Sequence, residues 1–252
     1  MMGGEYNIKR FDMRKLRKNT RIGVIGKPGT GKSTIIFDIM MNHKDIPIGL
    51  AMSGSEEANE AYSEKIAPGF VYNEFEESKV VTLSKYQKRK KHFERRNGID
   101  PHSEQSAYAF LIMDDCMVDK KWVKTKTIRD IFKNGRHWDI LFLLAMQYSL
   151  DIPPELRSGF DYIFLLKENL ANNRKRLYEH YASIFPAFRD FCKVFDRITE
   201  NFSCMVIDNR CLSNNVEDMI YYYKADYEKV SKPFRIGCPE MWNYDAENKR
   251  SN

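Results

Sequence analysis

The chain has 252 residues, of which 42% are apolar and 30% charged, and its formal net charge is +6. This composition is typical of a globular protein with one large domain, and neither a repeat nor a low-complexity segment interrupts it. No apolar run is long enough to cross a bilayer, and the first residues lack the apolar core of a signal peptide. The five cysteines form no C-x-x-C pair, which predicts reduced thiols in an intracellular protein.

Hydrophobic periodicity predicts alternating strands and helices along the chain. Strands are predicted at residues 21–25, 46–53, 107–115, 139–147, 161–168 and 203–208. Helices are predicted at residues 33–43, 55–66, 76–96, 128–134, 170–183 and 186–200. Short edge strands are expected within residues 68–75, 219–226 and 234–237, and the last dozen residues are expected to be frayed.

The central strands are almost unbroken apolar runs, which is the pattern of parallel strands with helices on both faces. The sequence therefore predicts an α/β fold with a mostly parallel central sheet. We expect a basic N-terminal arm over residues 1–20 and one α/β domain over residues 21–210. Residues 211–252 are expected to form a C-terminal extension that is partly edge strand and partly frayed tail.

A complete phosphate-binding motif follows the first of these strands. The stretch GKPGTGKS matches G-x-x-x-x-G-K-[ST] and lies between a strand and an amphipathic helix. Backbone N–H groups of such a loop and the positive end of the helix dipole favour a bound phosphate, which predicts a nucleoside triphosphate as the ligand. Lys32 would bridge phosphate oxygens, and the Ser33 hydroxyl would bind Mg²⁺. The predicted nucleotide contacts are Gly26, Lys27, Pro28, Gly29, Thr30, Gly31, Lys32, Ser33 and Thr34.

Two acids end the apolar strand AFLIMDD, as the second nucleotide motif of a P-loop enzyme requires. Asp114 is predicted to hold the Mg²⁺ ion, and Asp115 to orient or deprotonate the attacking water. Gln147 ends the next predicted strand, where an amide can sit between the γ-phosphate and the water. An ordinary loop glutamine is the alternative interpretation of Gln147.

Basic residues crowd three stretches, at residues 9–21, 85–96 and 120–136. Each stretch alone is equally compatible with a solvated helix face. Together, on a nucleotide-binding domain, they favour a nucleic-acid-binding surface.

The order of these motifs resembles the FtsK/HerA superfamily of DNA-pumping P-loop ATPases. Within it, the stretch from residue 134 to residue 166 most resembles the poxvirus-type genome-packaging ATPases of large double-stranded DNA viruses. The resemblance covers roughly residues 20–210, and its more specific part runs from Arg136 through Gln147 and Arg157 to the strand DYIFLL. Bacterial relatives usually carry Asp-Glu where this chain has Asp114-Asp115.

The resemblance implies a motor that hydrolyses ATP and moves viral double-stranded DNA into a capsid. It assigns Lys32, Asp115 and Gln147 to catalysis. It also implies an arginine finger that reaches the nucleotide of a neighbouring subunit, with Arg136 as the first choice and Arg157 as the second. The implied partners are DNA contacted through its backbone, further copies of the chain in a pentameric or hexameric ring, and a capsid or portal-vertex protein. The implied location is the host cytoplasm, a viral factory or the virion.

Two other functions remain open from the residues alone. A soluble P-loop kinase of nucleotides or metabolites would need an arginine-rich lid, and residues 172–180 could supply one. A non-catalytic assembly factor that responds to nucleotide is the third reading. The acid pair and the strand-end glutamine favour hydrolysis over the kinase.

Overall fold

One twisted sheet organises the chain in this computed structural model, which describes residues 6–100, 103, 108–116, 122–148 and 152–250, with side chains described up to residue 244. The strands of the described part are β1 (Lys9–Arg10), β2 (Arg21–Ile25), β3 (Ile48–Ser53), β4 (Val71–Tyr72), β5 (Ala109–Asp114), β6 (Ile140–Met146), β7 (Tyr162–Leu165), β8 (Ser203–Asp208) and β9 (Ile220–Lys224). Their order across the sheet is β1-β9-β8-β7-β2-β6-β5-β3-β4.

Helices connect most of these strands. They are α1 (Lys32–Asn42), α2 (Glu56–Asn59), α3 (Glu77–Arg96), α4 (Lys126–Asn134), α5 (Pro154–Arg157), α6 (Ala171–Tyr181), α7 (Phe188–Ile198), α8 (Val216–Met219), α9 (Tyr227–Val230) and α10 (Pro239–Arg250). Among the described residues, no helix is both long enough and apolar enough to cross a membrane.

The strand directions confirm the predicted, mostly parallel sheet. Among the described strands, β8 alone runs against its neighbours, since it pairs antiparallel with both β7 and β9. Strand β2, which leads into the phosphate-binding motif, lies between β7 and β6. Strand β6 therefore separates β2 from β5, which carries the acid pair. This order brings the ends of three motif-bearing strands to one edge of the sheet.

Both faces of the sheet are buried, as the apolar runs predict. In β6, Phe142 and Leu144 pack on one face, in a core shared with α3, α4, α6 and α7. The alternate residues Leu141 and Leu143 pack on the other face, with α1. Side chains of a strand alternate between faces, so only a strand covered on both sides needs this continuous apolar run.

The described residues near both ends of the chain form more regular structure than their sequences suggest. In the described part of residues 1–20, β1 pairs with β9, and Phe11, Met13 and Leu16 are buried. The ring of Phe11 meets the ring of Tyr162 edge to face at 5.3 Å. These apolar residues are interspersed among basic ones, so the charge pattern of the segment gives no sign that they are buried. At the other end, helix α10 occupies residues 239–250, where the sequence predicts a frayed tail.

The predicted helix over residues 55–66 is wrong beyond its first turn. Only α2 forms, because Glu60 takes a left-handed conformation at φ 49° and ends the helix. The carboxylate of Glu56 then accepts the backbone N–H groups of Tyr62 and Ser63, which replaces the helical hydrogen bonds. Near the C-terminus, the predicted edge strand over residues 234–237 is reduced to a single bridge from Ile236 to Ile66.

Candidate nucleotide-binding site

The phosphate-binding loop joins β2 to the first turn of α1. Gly29 and Gly31 have φ values of 75° and 101°, a region that side chains disfavour. At Gly26, an added Cβ would lie 2.6 Å from Thr30 Oγ1 and 2.8 Å from Leu166 Cβ, so the loop has no room for one. Helix α1 starts at Lys32, and its positive end adjoins this loop. The loop therefore has the backbone geometry that a bound phosphate requires.

The Lys32 side chain folds back over the loop. It is only 6% exposed, its Nζ donates to the carbonyl oxygen of Gly26 at 3.0 Å, and it lies 3.6 Å from Asp115 Oδ2. The ammonium group thus lies between the loop and the acid pair. The positive charge of Lys32 is therefore already positioned at the loop where a phosphate would bind.

Asp114 occupies the end of β5 and is 3% exposed. Its Oδ2 accepts hydrogen bonds from Tyr62 Oη at 2.8 Å and from Ser33 Oγ at 3.3 Å. Burial raises the pKa of Asp114, and the neighbouring Asp115 adds to the effect, against the opposing influence of Tyr62, Lys32 and Ser33. A nearby cation would compensate the energetic cost of this buried carboxylate.

The Asp114 carboxylate retains one unused oxygen. Its Oδ1 is buried and has no hydrogen-bond partner among the described residues. Buried polar atoms are normally satisfied, so such an atom points to a ligand. The carboxylate and the adjacent Ser33 hydroxyl are both hard oxygen donors, and Mg²⁺ typically takes one or two such ligands and keeps several waters. The residues therefore fit a Mg²⁺ site.

Gln147 follows β6 and joins this group. Its Nε2 donates to Asp115 Oδ2 at 3.0 Å, so the amide and the Lys32 ammonium converge on one carboxylate oxygen. Asp115 itself has a φ of 50°, which turns its side chain out of the strand pattern. The position of β6 between β2 and β5 explains the contact, because Gln147 emerges between the loop and the acid pair.

A cleft extends from the loop toward α6. It is lined by Ile25, Gly26, Gln147, Tyr148, Leu166, Glu168, Asn173, Arg176 and Leu177. Lys27 of the loop pairs with Glu168 at 2.6 Å, and Glu168 also accepts the backbone N–H of Leu170 and the amide of Asn173. Burial alone would raise the pKa of Glu168, but these donors hold it below its usual range. The loop is therefore tied to the start of α6.

The two predicted arginines lie apart from this group. Arg136 lies in the turn before β6, and Gln147 follows the other end of that strand. The seven residues of β6 therefore separate the two by roughly 20 Å. Arg136 forms an ion pair with Asp161 at the opposite edge of the sheet. Arg157 ends α5, and its Nε donates to the carbonyl oxygen of Ile152 at 3.1 Å. Within the described residues, no recorded hydrogen bond or ion pair links either arginine to the loop of its own chain.

Tyr62, Glu56 and Glu168 were absent from the predicted site. Tyr62 and Glu56 lie in the stretch that the sequence predicts as a continuous helix, and Glu168 follows β7. The contacts of Tyr62 with Asp114 and of Glu168 with Lys27 join distant parts of the sequence, whereas Glu56 lies only six residues before Tyr62. No local pattern signals such contacts, although the lone acid Glu168 directly after an apolar strand is a weak indication.

Solved structures share this architecture. The genome-packaging NTPase B204 of Sulfolobus turreted icosahedral virus 2, in complex with AMP, superposes with a TM-score of 0.53 at 15% identity, over 84% of this chain and 100% of B204. EssC of Geobacillus thermodenitrificans, in a structure of its ATPases 2 and 3, gives a TM-score of 0.56 at 12% identity, over 92% of this chain and 44% of that one. At these identities the likeness supports the fold, and the predicted P-loop NTPase fold is confirmed.

Viral proteins are similar in sequence over most of their length. Uncharacterized protein 075L of Invertebrate iridescent virus 6 is 34% identical over 254 aligned residues, covering 96% of this chain and 95% of that protein. Uncharacterized protein L437 of Acanthamoeba polyphaga mimivirus is 35% identical over 233 residues, covering 90% and 80%. The family model described as Poxvirus A32 protein matches residues 8–233, which include the loop, the acid pair and Gln147. The predicted relationship is confirmed: the chain belongs to the poxvirus A32 protein family.

Proposed function

We propose that this protein is an ATP-hydrolysing motor that moves viral double-stranded DNA into a capsid. The observation that carries the proposal is the convergence of Lys32 and Gln147 on Asp115, beside the phosphate-binding loop. This group suits the transfer of a phosphoryl group to water. Family membership supports the proposal, as does the fold shared with B204, which is described as a genome-packaging NTPase.

Each residue of the group has a role in that reaction. The loop N–H groups and Lys32 hold the β- and γ-phosphates and balance charge in the transition state. Asp115 accepts a proton from the attacking water, while Gln147 orients the water. Asp114 and Ser33 would hold Mg²⁺, which would act as a Lewis acid and neutralise negative charge on the phosphates. The water oxygen forms a bond to the γ-phosphorus while the bond from that phosphorus to its bridging oxygen breaks, which leaves ADP and inorganic phosphate.

The partners follow from the same function. A packaging motor must accept any sequence, so its contacts are with the DNA backbone through lysine and arginine. The exposed basic residues of α3, of α4 and of the segment before β2 are the candidates. We further propose a ring of five or six copies that docks on a capsid or portal-vertex protein, in the host cytoplasm, in a viral factory or in the virion.

Phosphate release, measured without any phosphate acceptor, distinguishes this function from its rivals. The motor releases inorganic phosphate from ATP, and duplex DNA stimulates the release. A kinase of nucleotides or metabolites, which could use Arg176 in the cleft beside the loop, would release little phosphate until an acceptor is added. A non-catalytic assembly factor would bind ATP and release none under either condition.

A further inference from the structure

Tyr62 links the helix after the phosphate-binding loop to the acid pair. Its side chain is 1% exposed, and its hydroxyl donates to Asp114 Oδ2 at 2.8 Å. Its ring packs against the ring of Phe37 on α1, with centroids 4.9 Å apart. Phe37 lies one turn after Ser33 on the same helix, so Tyr62 contacts the elements that carry both proposed Mg²⁺ ligands.

A buried carboxylate fixes the backbone around Tyr62. Glu56, which is 4% exposed, accepts the N–H of Tyr62 at 2.9 Å and the N–H of Ser63 at 2.7 Å. The hydroxyl of Ser63 donates to the same carboxylate. Three donors on one carboxylate define the turn strongly, because hydrogen bonds to a charged group are about twice as strong as neutral ones. Tyr62 therefore cannot shift without breaking this turn.

We propose that Tyr62 is a positioning residue for Asp114 in the nucleotide-bound enzyme. By occupying Oδ2, the Tyr62 hydroxyl orients the carboxylate and leaves Oδ1, the atom without a partner, available to Mg²⁺. The Ser33 hydroxyl donates to the same Oδ2. When Ser33 turns its oxygen toward the ion, Tyr62 remains as the donor that holds Asp114 in place. Partners of this kind typically change metal affinity 10- to 100-fold.

The inference rests on the Mg²⁺ site within the proposed function, and the chain supplies its own control. Tyr223 on β9 is also buried, and its hydroxyl donates to Asp38 on α1. Asp38 lies outside the phosphate-binding loop and the acid pair. Tyr62→Phe and Tyr223→Phe therefore each remove a tyrosine hydroxyl from a buried tyrosine–aspartate pair. Only the pair of Tyr62 and Asp114 includes a proposed metal ligand.

The experiment measures metal binding directly. Mn²⁺ is titrated into each variant with a non-hydrolysable ATP analogue, and bound Mn²⁺ is followed by electron paramagnetic resonance. Nucleotide affinity is measured separately in EDTA, and thermal unfolding checks that each variant is folded. For Tyr62→Phe we expect a roughly 10-fold or larger rise in the half-saturating Mn²⁺ concentration, with unchanged affinity in EDTA. Tyr223→Phe should match the wild type in both measurements.

Equal Mn²⁺ affinity in Tyr62→Phe and the wild type would overturn the inference. An equal loss of nucleotide affinity with and without metal would also overturn it, because that pattern indicates a general structural role. If Tyr62→Phe does not fold, Glu56→Gln takes its place, since it weakens the turn but keeps the tyrosine hydroxyl, and it should weaken Mn²⁺ binding in the same direction. None of these measurements involves DNA, so a failure of DNA-stimulated hydrolysis would refute the motor and leave this inference standing.

Discussion

The backbone at Asp115 determines where the proposed catalytic base lies. Its left-handed conformation is one that aspartate and asparagine tolerate better than most residues. The facing residue, Gly54, has no room for a side chain, since an added Cβ would lie 2.7 Å from the carbonyl oxygen of Asp115. Lys32 and Gln147 both contact the Asp115 carboxylate, so the shorter acid at this position still lies within the proposed catalytic group.

Asp115→Asn should separate nucleotide binding from turnover. Asparagine keeps the backbone conformation and the size of the side chain, but it cannot accept the proton of the attacking water. We expect ATP affinity close to that of the wild type and a loss of turnover by roughly 10² or more, measured as phosphate release. Lys32→Ala serves as a fully inactive reference. Normal hydrolysis by Asp115→Asn would mean that another group is the base.

His43, which follows the last turn of α1, should make stability depend on pH. Burial lowers the pKa of His43 to about 4, from the ordinary 6.5. The folded protein therefore keeps this imidazole neutral while the unfolded chain takes up a proton below pH 6.5. The stability that the neutral His43 contributes is complete above pH 6.5 and is lost as the pH falls toward 4. Between pH 7 and pH 5 the loss amounts to about 2 kcal/mol.

Urea unfolding of the wild type and of His43→Gln at both pH values measures this effect. Glutamine does not titrate, and all other groups are shared. The difference between the two free energies of unfolding should therefore change by about 2 kcal/mol between pH 7 and pH 5. A constant difference would show that His43 titrates as it does in the unfolded chain.

Helix α3 has two polar faces, of which one packs against the rest of the protein and the other is exposed. On the inner side, Gln87 donates to the carbonyl oxygen of Trp138 at 3.0 Å, and Lys91 pairs with Glu94 and Asp139, which anchors the helix to the turn before β6. The outer side exposes an aromatic and basic face, defined by Tyr86, Arg89, Lys90, Phe93 and Arg96, all exposed except the partly exposed Lys90. Basic residues interleaved with aromatic ones suit a nucleic-acid backbone and its bases.

Removing charge from this aromatic and basic face should weaken the salt dependence of DNA binding. In Arg89→Gln, Lys90→Gln and Arg96→Gln combined, three fewer counterions are released. The slope of log affinity against log salt concentration should therefore become shallower by up to about 3, measured by fluorescence anisotropy on duplexes of unrelated sequence. Lys91 is left intact, because its removal would leave two carboxylates without their cation.

A charge-matched control tests whether the position of the charge matters. Lys175, Lys224 and Lys232 are exposed and lie outside α3. Their combined change to Gln lowers the net charge by the same amount and should leave the slope close to that of the wild type. If both triple variants have the wild-type slope, the outer side of α3 is a solvated helix face, and the DNA contacts lie on another basic segment.

In the proposed ring, Arg136 could act only on the nucleotide of another subunit. It lies at the sheet edge opposite its own phosphate-binding loop, and its side chain is about half exposed, at 46%. Its partner Asp161 is also held by Arg21, through Nη2 at 3.1 Å and the backbone N–H at 2.9 Å. Arg136 can therefore leave Asp161 without exposing an unpaired buried carboxylate.

Mixing two inactive variants tests this role. Arg136→Ala should fold, bind ATP and assemble, yet hydrolyse slowly, since an arginine supplied in trans accelerates hydrolysis by roughly 10³ or more. Lys32→Ala keeps Arg136 but lacks a working loop. In mixed rings, some interfaces pair an intact loop with an intact Arg136, so phosphate release should reappear. No recovery in rings shown to exchange subunits would direct attention to Arg157.

Local patterns in the sequence determined the phosphate-binding loop, the central strands and the acid pair of this protein. The glycines, lysine and serine of residues 26–33 specify a phosphate-binding loop, because each is required by backbone geometry or by contact with phosphate. Apolar runs located the central strands to within about three residues at each end, since a strand buried on both faces admits little but apolar side chains. The two acids at the end of β5, Asp114 and Asp115, were likewise evident, because they directly follow an apolar run.

The tertiary structure decided how these parts meet. The position of β6 between β2 and β5 brings Gln147 to Asp115. This position depends on pairing between strands that are distant in sequence. The reversal of β8 and the burial of Phe11 have the same long-range origin. Tyr62 shows most clearly what the sequence could not predict. Its stretch has the periodicity of a helix, yet the Glu56 carboxylate, six residues earlier, accepts its backbone N–H. In the resulting turn the Tyr62 hydroxyl donates to Asp114. Periodicity reports only which residues are buried, whereas the partner of a buried polar group is determined by the folded chain as a whole.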